Sequence, residues 1–169
     1  MAKVVFIIAN NGFQDKEFWI PYKILSAQWH QCDVASWKWG YCIGVFWLEQ
    51  QNSLKLDELK VDTYDLLIFV WGWWAERQYY HDETYLNLAK QAKAVAAICI
   101  APYILSESWI FEWKEVTWWD DWEKTQITQI EKSWAIFKYE DVVQDWKFIT
   151  ANGPESATKF ARKIVDFLK

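Results

Sequence analysis

The chain has 169 residues, with 18 Lys and Arg set against 23 Asp and Glu, for a formal net charge of −5. That length suits one domain spanning residues 1–169, able to bury roughly 70% of its unfolded surface. The acidic balance, without a Lys/Arg cluster, argues against a nucleic-acid or anionic-membrane surface, and the longest apolar runs, Leu66–Ala75 and Ala94–Leu105, are shorter than the roughly 18 residues that span a bilayer.

In chain order the pattern alternates strand and helix. Lys3–Ala9 reads as a continuous apolar strand, and Asp15–Ala27 as a helix distorted by Pro21. Gln31–Ser36 is a second strand, Tyr41–Leu56 a set of short extended pieces with turns, and Leu66–Val70 a buried strand. Asp82 is placed to cap a helix over Asp82–Lys93, which leads into the strand Ala94–Ile98. Val116–Trp118 adds a strand and Trp122–Lys132 a helix, followed by a hairpin of Val142–Asp145 with Lys147–Ala151. Gly153-Pro154-Glu155 opens a last helix, with Ala157, Phe160, Ala161, Ile164 and Leu168 on one face. Such alternation predicts an α/β fold with a mostly parallel sheet and helices on both faces.

The apolar run ending at Ile98 delivers Cys99 to the point where Pro102 starts a helix. A cysteine on such a strand-to-helix turn meets free N–H groups and the positive end of the helix dipole, so the expectation is a nucleophile with a lowered pKa. The competing reading is a small buried hydrophobe, the usual fate of a free cysteine. Three cysteines, Cys32, Cys42 and Cys99, without a C-x-x-C or a His/Cys metal spacing, suit a reduced cytoplasm. No basic-then-apolar leader precedes Lys3, and the expected location is cytoplasmic, with no metal site.

In parallel sheets functional groups gather beyond the carboxyl ends of the strands, near a topological switch point. Asn10–Glu17 follows the first strand, Trp71–Glu76 the third and Cys99 the fourth, so the three can share a rim. His30 lies at the opposite rim. His81 lies in the loop after the third strand, where no spacing requires a catalytic role.

Composition carries one anomaly: fifteen tryptophans and only five glycines. Twelve tryptophans stand where turn chemistry asks for glycine: Trp29, Trp37, Trp39, Trp47, Trp71, Trp73, Trp74, Trp109, Trp113, Trp122, Trp134 and Trp146. The chain reads as an ordinary α/β sequence with tryptophan at glycine positions, and each left-handed residue among them costs about 1 kcal/mol or more.

Phe13-Gln14-Asp15-Lys16-Glu17-Phe18-Trp19-Ile20-Pro21, the turn with Ala75-Glu76-Arg77, Ala96-Ala97-Ile98-Cys99 before a small-Pro pair, and Thr150-Ala151-Asn152-Gly153-Pro154 together resemble the ThiJ/PfpI superfamily over nearly the whole chain. That group includes archaeal intracellular cysteine proteases and the parkinsonism-associated protein deglycase. The resemblance implies a flavodoxin-like three-layer sandwich, similar to class I glutamine amidotransferases, and a homo-oligomer, either a dimer or a dimer-based hexamer. It also implies Cys99 as nucleophile, Glu17 as its acidic partner, oxyanion donors at the N–H groups of Ile100 and Gly72, and Glu76 as the acid that completes a triad across a subunit interface in the protease branch. No cofactor is implied. Where the protease branch has histidine after its cysteine this chain has Ile100, which withdraws the usual base for peptide hydrolysis. The resemblance then favours the glyoxalase III or deglycase branch, acting on small reactive carbonyls. A PfpI-type peptidase and a redox-sensing protein working through Cys99 oxidation are the alternatives.

Overall fold

The computed structural model describes residues 1–72, 79, 81–120 and 132–169. The expected helix over 122–132 falls almost wholly outside them, as do Trp73, Trp74, Glu76 and Trp122. Continuous apolar sequence makes the central strands β1 (Lys3–Ile8), β7 (Leu66–Trp71) and β8 (Val95–Cys99), which are buried along almost their whole length. They belong to a seven-stranded sheet of order β11-β12-β8-β7-β1-β3-β6, with β3 at Gln31–Ser36, β6 at Leu54–Lys55, β11 at Val142–Asp145 and β12 at Phe148–Ala151. Every pairing in it is parallel except β11 with β12, the expected hairpin. The fold is the expected α/β sandwich.

Helix α1 (Asp15–Ala27) carries the chain from β1 out to β3, whereas α2 (Glu83–Gln91) carries it from β7 the other way, to β8. Right-handed crossovers in opposite directions put these helices on opposite faces. The last helix, α4 (Ala157–Phe167), packs beside α1, and the five-residue α3 (Ala101–Leu105) packs beside α2. The reversal of winding falls between β1 and β7, so a crevice opens beyond their carboxyl ends. Pro21 lies buried within α1 without ending it. Two small sheets flank the main one: β2 (Asn11–Phe13) with β4 (Tyr41–Gly44) and β5 (Glu49–Gln51), the last two within the expected extended pieces of Tyr41–Leu56, and β9 (Glu115–Val116), overlapping the expected strand Val116–Trp118, with β10 (Ile136–Phe137). The sequence gives no sign of β2 and β10, whose two or three residues carry too little periodicity.

Of the nine glycine-like tryptophans among the described residues, six have left-handed backbone: Trp29, Trp47, Trp109, Trp113, Trp134 and Trp146, with φ from 53° to 68°. All six indoles are exposed, so the strain is confined to the backbone. Trp37, Trp39 and Trp71 keep ordinary φ values. Trp71 is fully buried, edge-on to Phe69 and Tyr85 with ring centroids 5.5 and 5.0 Å away, and its Nε1 has no hydrogen-bond partner among the described residues. The two classes respond oppositely to truncation. Trp146→Gly raises stability by about 0.5–1 kcal/mol, because it relieves left-handed strain while giving back some unfolded-chain entropy. Trp71→Ala lowers stability by about 3–5 kcal/mol through the cavity it leaves. Urea unfolding midpoints check both.

Candidate active site

Cys99 ends β8 with φ 64°, a left-handed residue joining strand to helix, and Ile100 and Ala101 continue directly into α3. Trp71 is its register partner on β7, and the chain then turns at Gly72. A Cβ on Gly72 would stand 2.0 Å from the Gly12 carbonyl oxygen, so only glycine lets these two loops approach. That contact lies at the crevice between β1 and β7, since Gly12 follows the one strand and Gly72 the other. Into it α1 delivers Glu17, from a first turn capped by Gln14, whose Oε1 accepts from the N–H groups of Lys16 at 2.7 Å and Glu17 at 3.3 Å.

Glu17, Cys99 and Gly72 line one cavity of about 420 Å³ together with Gln14, Val45, Phe46, Trp119 and Pro154. Cys99 is 6% exposed and Glu17 0% exposed, so the sulfur borders the cavity and the carboxyl lies behind it. The Glu17 carboxyl meets the Cys99 thiol, and apart from that contact neither oxygen has a hydrogen-bond partner among the described residues. Burial pushes the carboxyl well above the ordinary carboxylate range, and the bond to Cys99 only partly offsets this. Burial also pushes the thiol up, with the charge of Glu17 adding to it and the Ile100 N–H opposing it.

The upward push corrects the expectation of a lowered thiol pKa. A helix of five residues has a weak dipole, and desolvation outweighs it. Two acids in one buried site do not both ionise readily, so ionised Glu17 raises the thiol's hold on its proton.

The loop over the cavity depends on a residue that sequence reasoning passed over. The Asp15 carboxylate accepts from the N–H of Phe46 at 2.9 Å and of Leu48 at 2.8 Å, clasping the β4–β5 loop to the start of α1. Gly44 makes room for this, since a Cβ there would meet that carboxylate at 2.4 Å. On the other side the Trp119 N–H donates to the Cys99 carbonyl at 3.0 Å and the Thr117 N–H to Thr150 Oγ1 at 2.8 Å, laying the chain after β9 across the ends of β8 and β12.

His81 does not line this cavity. Its Nδ1 and backbone N–H each lie 2.9 Å from the Glu107 carboxylate, beside a separate pocket near Trp109 and Ser133. Glu76 lies outside the described residues. His30 accepts from the Ala2 N–H at the opposite rim. Among the described residues no group of three or more His, Cys, Asp or Glu is placed to hold a metal ion, and no helix is long and apolar enough to cross a membrane.

A family model for the DJ-1/PfpI family matches residues 2–167. The chain belongs to the DJ-1/PfpI family. It is 26% identical over 174 residues to Deglycase PfpI of Pyrococcus furiosus, covering 99% of each chain. It is 27% identical over 168 residues to an uncharacterized protein of Methanocaldococcus jannaschii, covering 97% of this chain and 81% of that one. Among solved structures it resembles a ThiJ/PfpI domain protein from Brachyspira murdochii, with a TM-score of 0.88 at 24% identity over 98% of this chain and 95% of that one. Schizosaccharomyces pombe DJ-1 matches with a TM-score of 0.85 at 19% identity, over 99% and 92% of the two chains. The family's fold is therefore present from end to end.

Two measurements test this geometry. The folded Glu17 pKa lies above the ordinary 4.5, so the carboxyl is easily buried when protonated and costs stability as pH rises through the window above 4.5. Glu17→Gln is therefore more stable than the parent at pH 7, by about 1–3 kcal/mol, and the gap closes as pH falls toward 4. Asp15→Ala lowers stability by about 2 kcal/mol by stranding two N–H groups, seen as faster amide exchange at Phe46 and Leu48.

Proposed function

We propose that the chain is a cysteine-dependent enzyme that converts small 2-oxoaldehydes to 2-hydroxy acids. The observation that carries this reading is the juxtaposition of a buried carboxyl with raised proton affinity and a cysteine on one cavity wall. Ionised Glu17 takes the thiol proton as sulfur attacks the aldehyde carbon. The carbonyl π pair moves to oxygen, which takes that proton from Glu17 to give a hemithioacetal and leaves the carboxylate ready to act again as base. The Ile100 N–H already faces the sulfur, and Gly72 lines the same wall, so this end of the cavity is where the developing oxyanion is stabilised.

Glu17 then removes the hydrogen from the former aldehyde carbon and returns a proton to the neighbouring carbon through an enediol. This oxidises one carbon and reduces the other, so the step needs no outside oxidant and leaves a thioester. Water cleaves the thioester, releasing the 2-hydroxy acid and regenerating the thiol. A raised carboxyl pKa suits both duties, because the group must give up its proton as readily as it takes one.

Peptide hydrolysis is less well supported. Ile100 follows the cysteine, and no histidine is among the described residues lining the cavity. The relatives named deglycase support a reactive-carbonyl substrate. With methylglyoxal as substrate, D-lactate forms with the parent chain and is abolished in Cys99→Ser, while Glu17→Gln lowers the rate by roughly 10²–10⁴-fold without unfolding the protein. Equal lactate formation by the parent and Cys99→Ser removes the proposal. Selective oxidation of Cys99 by peroxide, without methylglyoxal loss, turns the reading to redox sensing.

A further inference from the structure

The cavity wall facing the sulfur is almost entirely hydrocarbon. Val45 and Phe46 cover it from the clasped loop, Trp119 from the segment crossing β8, and Pro154 from the turn before α4. Glu17 is the only charged side chain among the described lining residues, and no lysine, arginine or histidine accompanies it. Among the described lining residues a substrate carboxylate or phosphate finds no counter-charge, and ionised Glu17 would repel it.

The space also exceeds what a three-carbon oxoaldehyde fills. About 420 Å³ accommodates a ring-sized substituent, and two large apolar side chains stand at the mouth ready to cover it, Phe46 at 69% exposed and Trp119 at 37%. An apolar group entering there would bury its own surface and part of both rings. The backbone of each is pinned, Phe46 through Asp15 and Trp119 through the Cys99 carbonyl, so the walls are set before a ligand arrives.

From this geometry we infer that the site selects uncharged 2-oxoaldehydes with an aryl or branched-alkyl substituent, with Trp119 and Phe46 as specificity-determining residues. The inference rests on the reaction proposed above and narrows its substrate class. The substituent lies between Phe46 and Trp119 while the aldehyde carbon reaches the sulfur, and the reaction's atom and electron balance is unchanged.

The test pairs turnover with a readout that needs none. Phenylglyoxal and methylglyoxal are compared by kcat/KM, and Cys99 alkylation rates are compared for phenacyl bromide, bromoacetone and iodoacetate, each normalised to its rate with a small free thiol. The expected result is a preference of at least about tenfold for the phenyl member of each set over the methyl member, with iodoacetate the slowest alkylating agent. Trp119→Ala and Phe46→Ser each lower the phenyl-to-methyl ratio by roughly tenfold or more in both assays.

Equal normalised rates for phenyl and methyl members, or ratios unmoved by both variants, overturn the inference while leaving the reaction standing if lactate forms. Phenyl-selective alkylation that depends on Trp119, without turnover of either oxoaldehyde, retains the apolar subsite and overturns the reaction instead.

Discussion

The contact between the Glu17 carboxyl and the Cys99 thiol sets the terms for the rest of the molecule. It joins the first βα unit to β8, two places away across the sheet, and it does so where the sheet's winding reverses. Neither group is comfortable there. The carboxyl has no cation to compensate its burial among the described residues, and the thiol sits on left-handed backbone. The surrounding framework holds them regardless: five parallel register pairs between β7 and β8, the Gly72–Gly12 approach, and a helix start capped by Gln14. Two acids whose titrations are coupled are thereby held in one buried site.

Much of this was legible in the chain. Apolar runs gave the central strands because strands buried on both faces need apolar residues at every position, and α1 fell on its observed limits, Asp15–Ala27. Cys99 and Glu17 fell on the same rim because both follow strands whose carboxyl ends must coincide in a parallel sheet. The titration of the thiol was misread, since sequence reports a helix start but not how deeply the sulfur is covered. The clasp from Asp15 to Phe46 and Leu48 was invisible for another reason. It spans more than thirty residues and uses backbone N–H groups, which carry no side-chain signature. Trp119 was hidden likewise, its place fixed by a main-chain bond to Cys99.

The tryptophans show how sequence chemistry and backbone geometry can disagree without breaking a fold. Trp29, Trp47, Trp109, Trp113, Trp134 and Trp146 adopt the conformation that glycine takes most readily, and the chain tolerates them because each indole points into solvent. Trp71 obeys ordinary backbone geometry and is accommodated by packing against Phe69, Tyr79 and Tyr85. The backbone plan is thus dictated by the buried strands and by a few indispensable glycines such as Gly44 and Gly72, where added atoms would collide with neighbours.

The left-handed turn at Cys99 bears on how such a scaffold can drift. Alanine or serine at that position inherits the same twisted main chain, but glycine relaxes it, and losing the acid at position 17 removes a second burden. A descendant without them would consequently be sturdier than its parent, and keeping both holds the chain below the stability its architecture could otherwise reach.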